Sequence, residues 1–128
     1  MEQKLINQLN EWHEVDEHQR IVDTLLAIPE EERDDELISI LARAYNNLGL
    51  YEEALNHFSK ISEAGKQDAL WHYRVGFAFY YLKRYEEAAQ AFSMSDQLDS
   101  GDRSTEYFLR QSTLKAKKQK SEELRLAQ

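Results

Sequence analysis

The residues with the clearest potential for chemistry are the four histidines, two of which lie in a short acidic stretch, HEVDEH, at residues 13–18. A zinc-protease helix places two histidines at positions i and i+4, where they share one face. His13 and His18 are five positions apart and cannot share a helical face in this way. His57 and His72 are isolated in the sequence. The histidines therefore predict no metal site.

Other routes to catalysis also lack their residues. The chain has no cysteine, which excludes a thiolate nucleophile and a thiolate metal site. Its four glycines are scattered at 49, 65, 76 and 101, so there is no glycine-rich phosphate loop. Paired glutamates recur at 52–53 and 86–87, where they suit the first turns of solvated helices rather than the work of a desolvated acid. We therefore expect neither an enzyme nor a cofactor.

Charge argues against nucleic acid as a partner. The chain of 128 residues has a net charge of −8. Residues 1–65 hold 15 acids and 5 bases (−10), whereas residues 66–128 hold 9 acids and 11 bases (+2). An acidic chain is repelled by a phosphate backbone. The basic run KAKKQK, at 115–120, contains no aromatic residue and is interpreted as a solvated helix end.

Membrane insertion and secretion are not expected either. The longest apolar run, VGFAFYYL at 75–82, is far shorter than the roughly 20 residues that span a bilayer. The first residues lack a basic stretch followed by an apolar one, so no secretory signal is visible. Together with the lack of cysteine, this predicts a cytoplasmic protein.

The elements that must position any functional residue are helices. With one proline and four glycines, turns are scarce, and apolar residues recur at intervals of three and four. Asp16 is expected to cap the second helix, while Gly49 and Gly65 are expected to end the third and fourth. We predict an all-α fold of about seven helices, near residues 3–12, 16–28, 35–48, 51–63, 69–82, 85–98 and from 103 onward, with much of 115–128 disordered.

Two of the predicted hairpins repeat each other. LGLYEEALNHF, at 48–58, returns as LKRYEEAAQAF at 82–92. Between 35–61 and 69–95 the alignment needs no gap, and small residues meet small ones. The matched pairs include Ala44 with Ala78, Ala54 with Ala88, and Phe58 with Phe92. Small residues allow two helices to approach, and each phenylalanine fills the space beside them. A repeated unit of about 34 residues predicts stacked hairpins.

This period and these residues resemble the tetratricopeptide repeat, a helix-turn-helix unit of about 34 residues. The chain departs from the family pattern in having Ile38 and His72 where an early tryptophan is usual, and Lys66 and Ser100 in place of the closing proline. The resemblance implies an antiparallel helix-hairpin solenoid. It divides the chain into two repeats, at 35–68 and 69–102, followed by a capping helix with a charged end at 103–128. Residues 1–34 form an N-terminal helical pair, and whether this pair is a degenerate repeat stays open.

The resemblance also implies a function and a site. Proteins of this family bind peptides or partner proteins in a concave groove lined by the first helix of each unit. The corresponding residues here are Ser39, Arg43, Asn46, Asn47, Tyr73, Arg74, Phe77, Tyr80 and Tyr81. Glu36 lies in the same row. Too few of the Lys, Asn and Arg positions that clamp chaperone tails match for that ligand to be expected. The predicted function is a peptide- or protein-binding adaptor or scaffold.

Two alternatives stay open at this point. The segment 69–82 is apolar on nearly every side, so it is either enclosed by its neighbours or offers a spare face to a partner. That spare face could equally be the interface of a homodimer. Each arginine could instead pair with the chain's own acids. The basic end, +4 over residues 103–128 from 7 bases and 3 acids, could dock on the groove itself.

Overall fold

A computed structural model describes residues 2–128, and these residues contain seven α-helices and no β-strand. The predicted all-α class with about seven helices is confirmed. The chain divides into two compact units, the first reaching to Gly65 and the second running from Lys66 to Gln128.

The first unit contains two antiparallel helical pairs. The helices are α1 (Glu2–Glu14), α2 (His18–Leu26), α3 (Asp35–Asn47) and α4 (Tyr51–Phe58). Pro29 follows the end of α2 and prevents the helix from continuing, because proline lacks the backbone N–H that a helix needs. One turn of 3₁₀ helix, Glu30–Glu32, comes directly after it. The core of this unit is formed by the apolar stripes of the four helices.

The second unit is a helical pair followed by one long helix. The pair is α5 (Ala69–Tyr81) and α6 (Tyr85–Leu98), and the long helix is α7 (Arg103–Leu126). Helix α7 packs mainly against α6 and also reaches α5. The expectation of disorder after residue 115 is wrong, since this segment continues α7.

The three hairpin turns have the same backbone geometry. A residue with positive φ occupies each turn: Asp16 (60°), Gly49 (77°) and Lys83 (63°). The next residue then donates its N–H to the carbonyl five positions back, as Leu50 does to Tyr45 at 2.9 Å. Glu17 donates in the same way to Trp12 and Arg84 to Phe79. Asp16 is therefore the turn residue and not the predicted cap, because its backbone is already left-handed.

The same three positions in each hairpin are buried, although their side chains differ in size. Seven positions before the turn lie Leu9, Ala42 and Gly76; five after it lie Ile21, Ala54 and Ala88; nine after it lie Leu25, Phe58 and Phe92. The two later hairpins combine small residues with a phenylalanine. The first hairpin has the larger residues Leu9 and Ile21 where the other two have small ones, and it has Leu25 where they have phenylalanine. A similar space is therefore filled in each hairpin, with the volume divided differently among the three side chains.

Three aspartates cap the helices that follow the interhairpin connections. Asp34 accepts a hydrogen bond from the backbone N–H of Leu37 at 3.0 Å, at the start of α3. Asp68 begins α5 in the same manner, and Asp102 accepts from the N–H of Thr105 at 2.9 Å at the start of α7. The three aspartates are equally spaced along the chain, at the interval of the sequence repeat, so the period continues into α7.

Helix α4 ends five positions earlier than predicted. The stretch after Phe58 turns because the carboxylate of Asp35, at the start of α3, accepts hydrogen bonds from the backbone N–H and the hydroxyl of Ser62. These bonds lower the pKa of Asp35. Ile61 becomes buried in this turn instead of extending the helix.

Candidate binding face

The residues predicted to line a groove fall into both units, and the first unit holds four of them on α3. Ser39 and Arg43 are half-buried and Asn47 is exposed. Asn46 is only 5% exposed, so its amide is part of the interior. Its backbone carbonyl accepts the N–H of Gly49 in the hairpin turn. Three of the four positions therefore remain open to a partner, and Asn46 does not.

Arg43 has the most unusual environment among these four. Burial lowers the pKa of its guanidinium, and the charge of Glu14 on α1 opposes that effect. Its Nη2 atom is buried without a hydrogen bond. A guanidinium has a planar fork of N–H donors suited to a carboxylate, so Arg43 retains donor capacity for an acidic group.

In the second unit the predicted aromatic residues meet around a residue that was not predicted. The ring of Phe108, on α7, lies 5.1 Å from Tyr80, 6.0 Å from Phe77 and 6.1 Å from Tyr73, measured between ring centroids. Tyr81 lies 6.4 Å away. Helix α7 thus brings its own ring to the four predicted ones. We call the set Tyr73, Phe77, Tyr80, Tyr81, Tyr107 and Phe108 the aromatic face.

Parts of the aromatic face are open to solvent. Tyr81 is 46% exposed and Tyr107 is 51% exposed, although each ring contacts others of the set. Tyr73 and Tyr80 are half-buried, and burial raises the pKa of both phenols. The face therefore combines neutral, ordered rings with accessible edges and hydroxyl groups.

Contacts farther along α7 keep that helix against the hairpin. The Lys115 ammonium lies 5.9 Å from the centroid of Tyr80 and 5.6 Å from that of Tyr85, within the range of a cation–π interaction. Gln119 donates a hydrogen bond to the carbonyl of Lys83 at 2.9 Å. The aromatic face is thus built on packed helices and not on loops. Of the basic end, which was considered as a segment that could dock on the groove, Lys115 lies over the ring of Tyr80.

Sequence reasoning missed the central role of Phe108, although a signal for it existed. Asp102 follows Asp68 by the same interval at which Asp68 follows Asp34, which assigns α7 to the same place in the period as α5. Phe108 then corresponds to Arg74, which is half-buried in α5. Following the caps rather than the apolar residues would have put Phe108 beside the predicted rings.

The two histidines of the acidic stretch near the N-terminus lie close to each other and to a neighbouring aspartate. Within residues 2–128, no three His, Asp or Glu side chains are grouped so that they could hold a metal ion. His18 instead contacts Asp16 through Nε2 at 3.3 Å, and its ring lies 5.6 Å from that of His13. In the same part of the chain, every helix is too short or too polar to cross a membrane.

Comparison with known proteins assigns no family. No model of a protein family matches the sequence, and no curated protein matches it either.

Proposed function

We propose that this chain is a protein-binding module, an adaptor or scaffold, whose second unit presents the aromatic face to a peptide or protein partner. The observation that carries the proposal is Tyr81, which is 46% exposed and yet contacts the rings of Phe77 and Tyr80 at 4.7 and 5.2 Å. An exposed ring that is already ordered loses little conformational entropy when a partner covers it.

The chemistry of the face suits a partner with apolar side chains and backbone polar groups. Tyrosine buries a large area and keeps a hydroxyl for hydrogen bonding, which is why it is frequent among the residues that dominate binding energy. The resemblance to the tetratricopeptide repeat supports the same reading, since it implies peptide binding by first helices. Arg43, Ser39 and Asn47 are proposed as an additional polar contact surface on the first unit. A cytoplasmic location stays a prediction.

A peptide display library selected against the immobilised full chain tests the proposal. Enriched peptides are then measured against the wild type, against the double variant Tyr81→Ala, Tyr107→Ala, and against Val15→Ala. Val15 is an exposed apolar residue of the first unit and serves as the control. We expect the double variant to weaken binding by about tenfold or more, because each tyrosine would contribute roughly 1 kcal/mol or more.

Two outcomes would contradict the proposal. One is that no peptide is enriched, and the other is that enriched peptides bind the double variant as tightly as the wild type. The alternative is that the aromatic face joins two copies of the chain, and measuring the molecular mass by sedimentation distinguishes it from binding of a different partner. A wild-type dimer that becomes a monomer in the double variant would make the face a self-association interface.

A further inference from the structure

A second surface of the second unit, separate from the aromatic face, is an open groove of about 590 Å³ between α6 and α7. Its floor contains Ala89, Ser93 and Met94 from α6, and Leu109, Thr113 and Ala116 from α7. Met94 is exposed despite being apolar. We call this surface the α6–α7 groove. Another side of α7, with Phe108 and Lys115, contacts the aromatic rings, and neither of these residues lines the groove.

The first unit shows what packs on the equivalent side of a helix in this chain. The caps Asp34 and Asp102 lie two periods apart and put α3 and α7 in the same register. Leu41, Tyr45 and Leu48 of the first unit thus correspond to Leu109, Thr113 and Ala116 in the groove. In the first unit α4 packs on α3, where Leu41 is fully buried and Tyr45 stacks on His57 of α4 at 5.2 Å.

The second unit does not supply the corresponding helix for α7. After α3 the chain turns at Gly49, and Lys117 is the residue two periods later. Lys117 remains inside α7, which continues without a turn to Leu126. Within the described residues, no helix follows to cover this side of α7, where Thr113 is exposed and Leu109 and Ala116 are partly exposed.

We propose that the α6–α7 groove binds an amphipathic α-helix of another protein, antiparallel to α7, with acidic residues in its first turn. An antiparallel helix begins beside the end of its neighbour, as α4 begins beside the end of α3. In the groove that end is marked by Lys117 and Lys120, which both line it; Glu86 of α6 is the one acid in the lining, so bases outnumber acids two to one. Acidic residues in a first turn are also favoured by the helix dipole.

Size adds a second condition on the bound helix. Thr113 and Ala116 are smaller than Tyr45 and Leu48 at the equivalent positions of the first unit. The groove, of about 590 Å³, therefore has room for a large apolar side chain of the bound helix beside Thr113 and Ala116. A second copy of the chain is a poorer candidate, because α4 and α6, its helices with paired glutamates in the first turn, already bury their own apolar residues.

The chain itself provides a probe for this proposal. A fluorescein-labelled peptide with the sequence of residues 49–63 contains α4, including the first-turn acids Glu52 and Glu53. Its binding to the full chain is followed by fluorescence anisotropy. We compare Lys117→Glu with Lys118→Glu, which makes the same charge change at an exposed position outside the groove lining. Thr113→Arg places a bulky charge on the floor at an exposed site, where it does not disturb the core.

We expect Lys117→Glu to weaken binding of the peptide about five- to tenfold, since one ion pair becomes a repulsion, while Lys118→Glu has a smaller effect. Thr113→Arg is expected to abolish binding. A peptide in which Glu52 and Glu53 are replaced by lysine should bind the wild type more weakly and Lys117→Glu better. The Tyr81→Ala, Tyr107→Ala variant should bind the probe normally, which separates this proposal from that of the aromatic face.

Three results would overturn the proposal. The first is that the peptide fails to bind, and the second is that Lys117→Glu and Lys118→Glu affect binding equally. The third concerns the identity of the bound helix: a wild-type dimer that Thr113→Arg converts to a monomer would show that a second copy occupies the groove.

Discussion

Phe92 of α6 and Phe108 of α7 form a stacked pair, with ring centroids 5.3 Å apart and planes 11° from parallel. Phe92 is fully buried, and it is the residue that fills the space between α5 and α6. One side of its ring is covered by Phe108, so this pair of rings joins the aromatic face to the core of the second unit. Stability and the proposed binding function are thereby linked in this unit.

This stack predicts the effect of truncating Phe108. Phe108→Ala should lower the free energy of unfolding by about 2–3 kcal/mol, less than for a fully buried ring, because Phe108 is half-buried. Urea denaturation measures the change. Tyr107→Ala is the matched control. Because the neighbouring ring of Tyr107 is more exposed, its removal should lower the free energy of unfolding by well under that amount. Equal losses for the two variants would contradict the assigned role of Phe108.

The contact between Gly76 and Phe92 makes a second prediction. A Cβ atom added at Gly76 would lie 3.0 Å from two ring carbons of Phe92, whose ring is fully buried and stacked on Phe108. Gly76→Ala should therefore lower the free energy of unfolding by about 1 kcal/mol net, even though alanine favours helix by a similar amount. Urea denaturation in a Phe92→Leu background provides the control, where the same substitution should no longer destabilise.

The left-handed turn residues give a third prediction. Lys83 has a steric cost at φ 63° that Gly49 avoids at φ 77°. Lys83→Gly should raise the free energy of unfolding by up to about 1 kcal/mol, and Gly49→Ala should lower it by about 1 kcal/mol. No atom lies within 4 Å of a Cβ added at Gly49, so that loss would come from the backbone alone. Thermal and urea unfolding of both variants would show opposite signs if the turns are alike.

The fourth prediction concerns pH and His57. Burial, helped by Lys60 and Arg33 and opposed by Glu30, lowers the pKa of His57 from its usual 6.5. As the pH falls through 6.5, His57 takes up a proton in the unfolded chain before it does so in the folded one. The contribution of His57 to the free energy of unfolding is therefore fully present above pH 6.5, and it is lost as the pH falls below that value.

His57→Gln removes this titration and is the variant to compare. Unfolding is measured between about pH 7.5 and pH 5.5, on either side of the ordinary histidine pKa. A Trp71→Phe background leaves Trp12 to report on the first unit by fluorescence. The wild type should lose stability relative to the variant over this range. A constant difference between the two proteins would mean that His57 ionises equally in the folded and unfolded states.

Much of the fold could be predicted from local residue patterns. The two hairpins spanning 35–61 and 69–95 were predictable because small residues, phenylalanines and first-turn glutamates recur at one spacing. The equivalence of the first hairpin was not predictable from that signature. Leu9 and Ile21 replace small residues there, and Leu25 replaces a phenylalanine. The turn residues Asp16 and Gly49 are also one position closer together than Gly49 and Lys83.

Other differences came from contacts between residues distant in sequence. The end of α4 at Phe58 depends on the hydrogen bonds between Asp35 and Ser62, 27 residues apart, which helix propensity cannot reveal. The aromatic residues of α5 were predicted as a set, whereas their partner Phe108 depends on how α7 packs. Asn46 was predicted as a contact residue but is buried.

The uninterrupted path of α7 past Lys117 has a consequence for how such a chain could be lengthened. A duplication that placed a glycine at position 117, followed by a copy of residues 50–68, would add one more helix equivalent to α4. The inserted helix would fall on the α6–α7 groove, where Met94, Leu109 and Ala116 already provide apolar contacts, and no existing buried residue would need to change. Helix α7 is therefore a site at which the series of hairpins could be extended, either by natural duplication or by protein engineering.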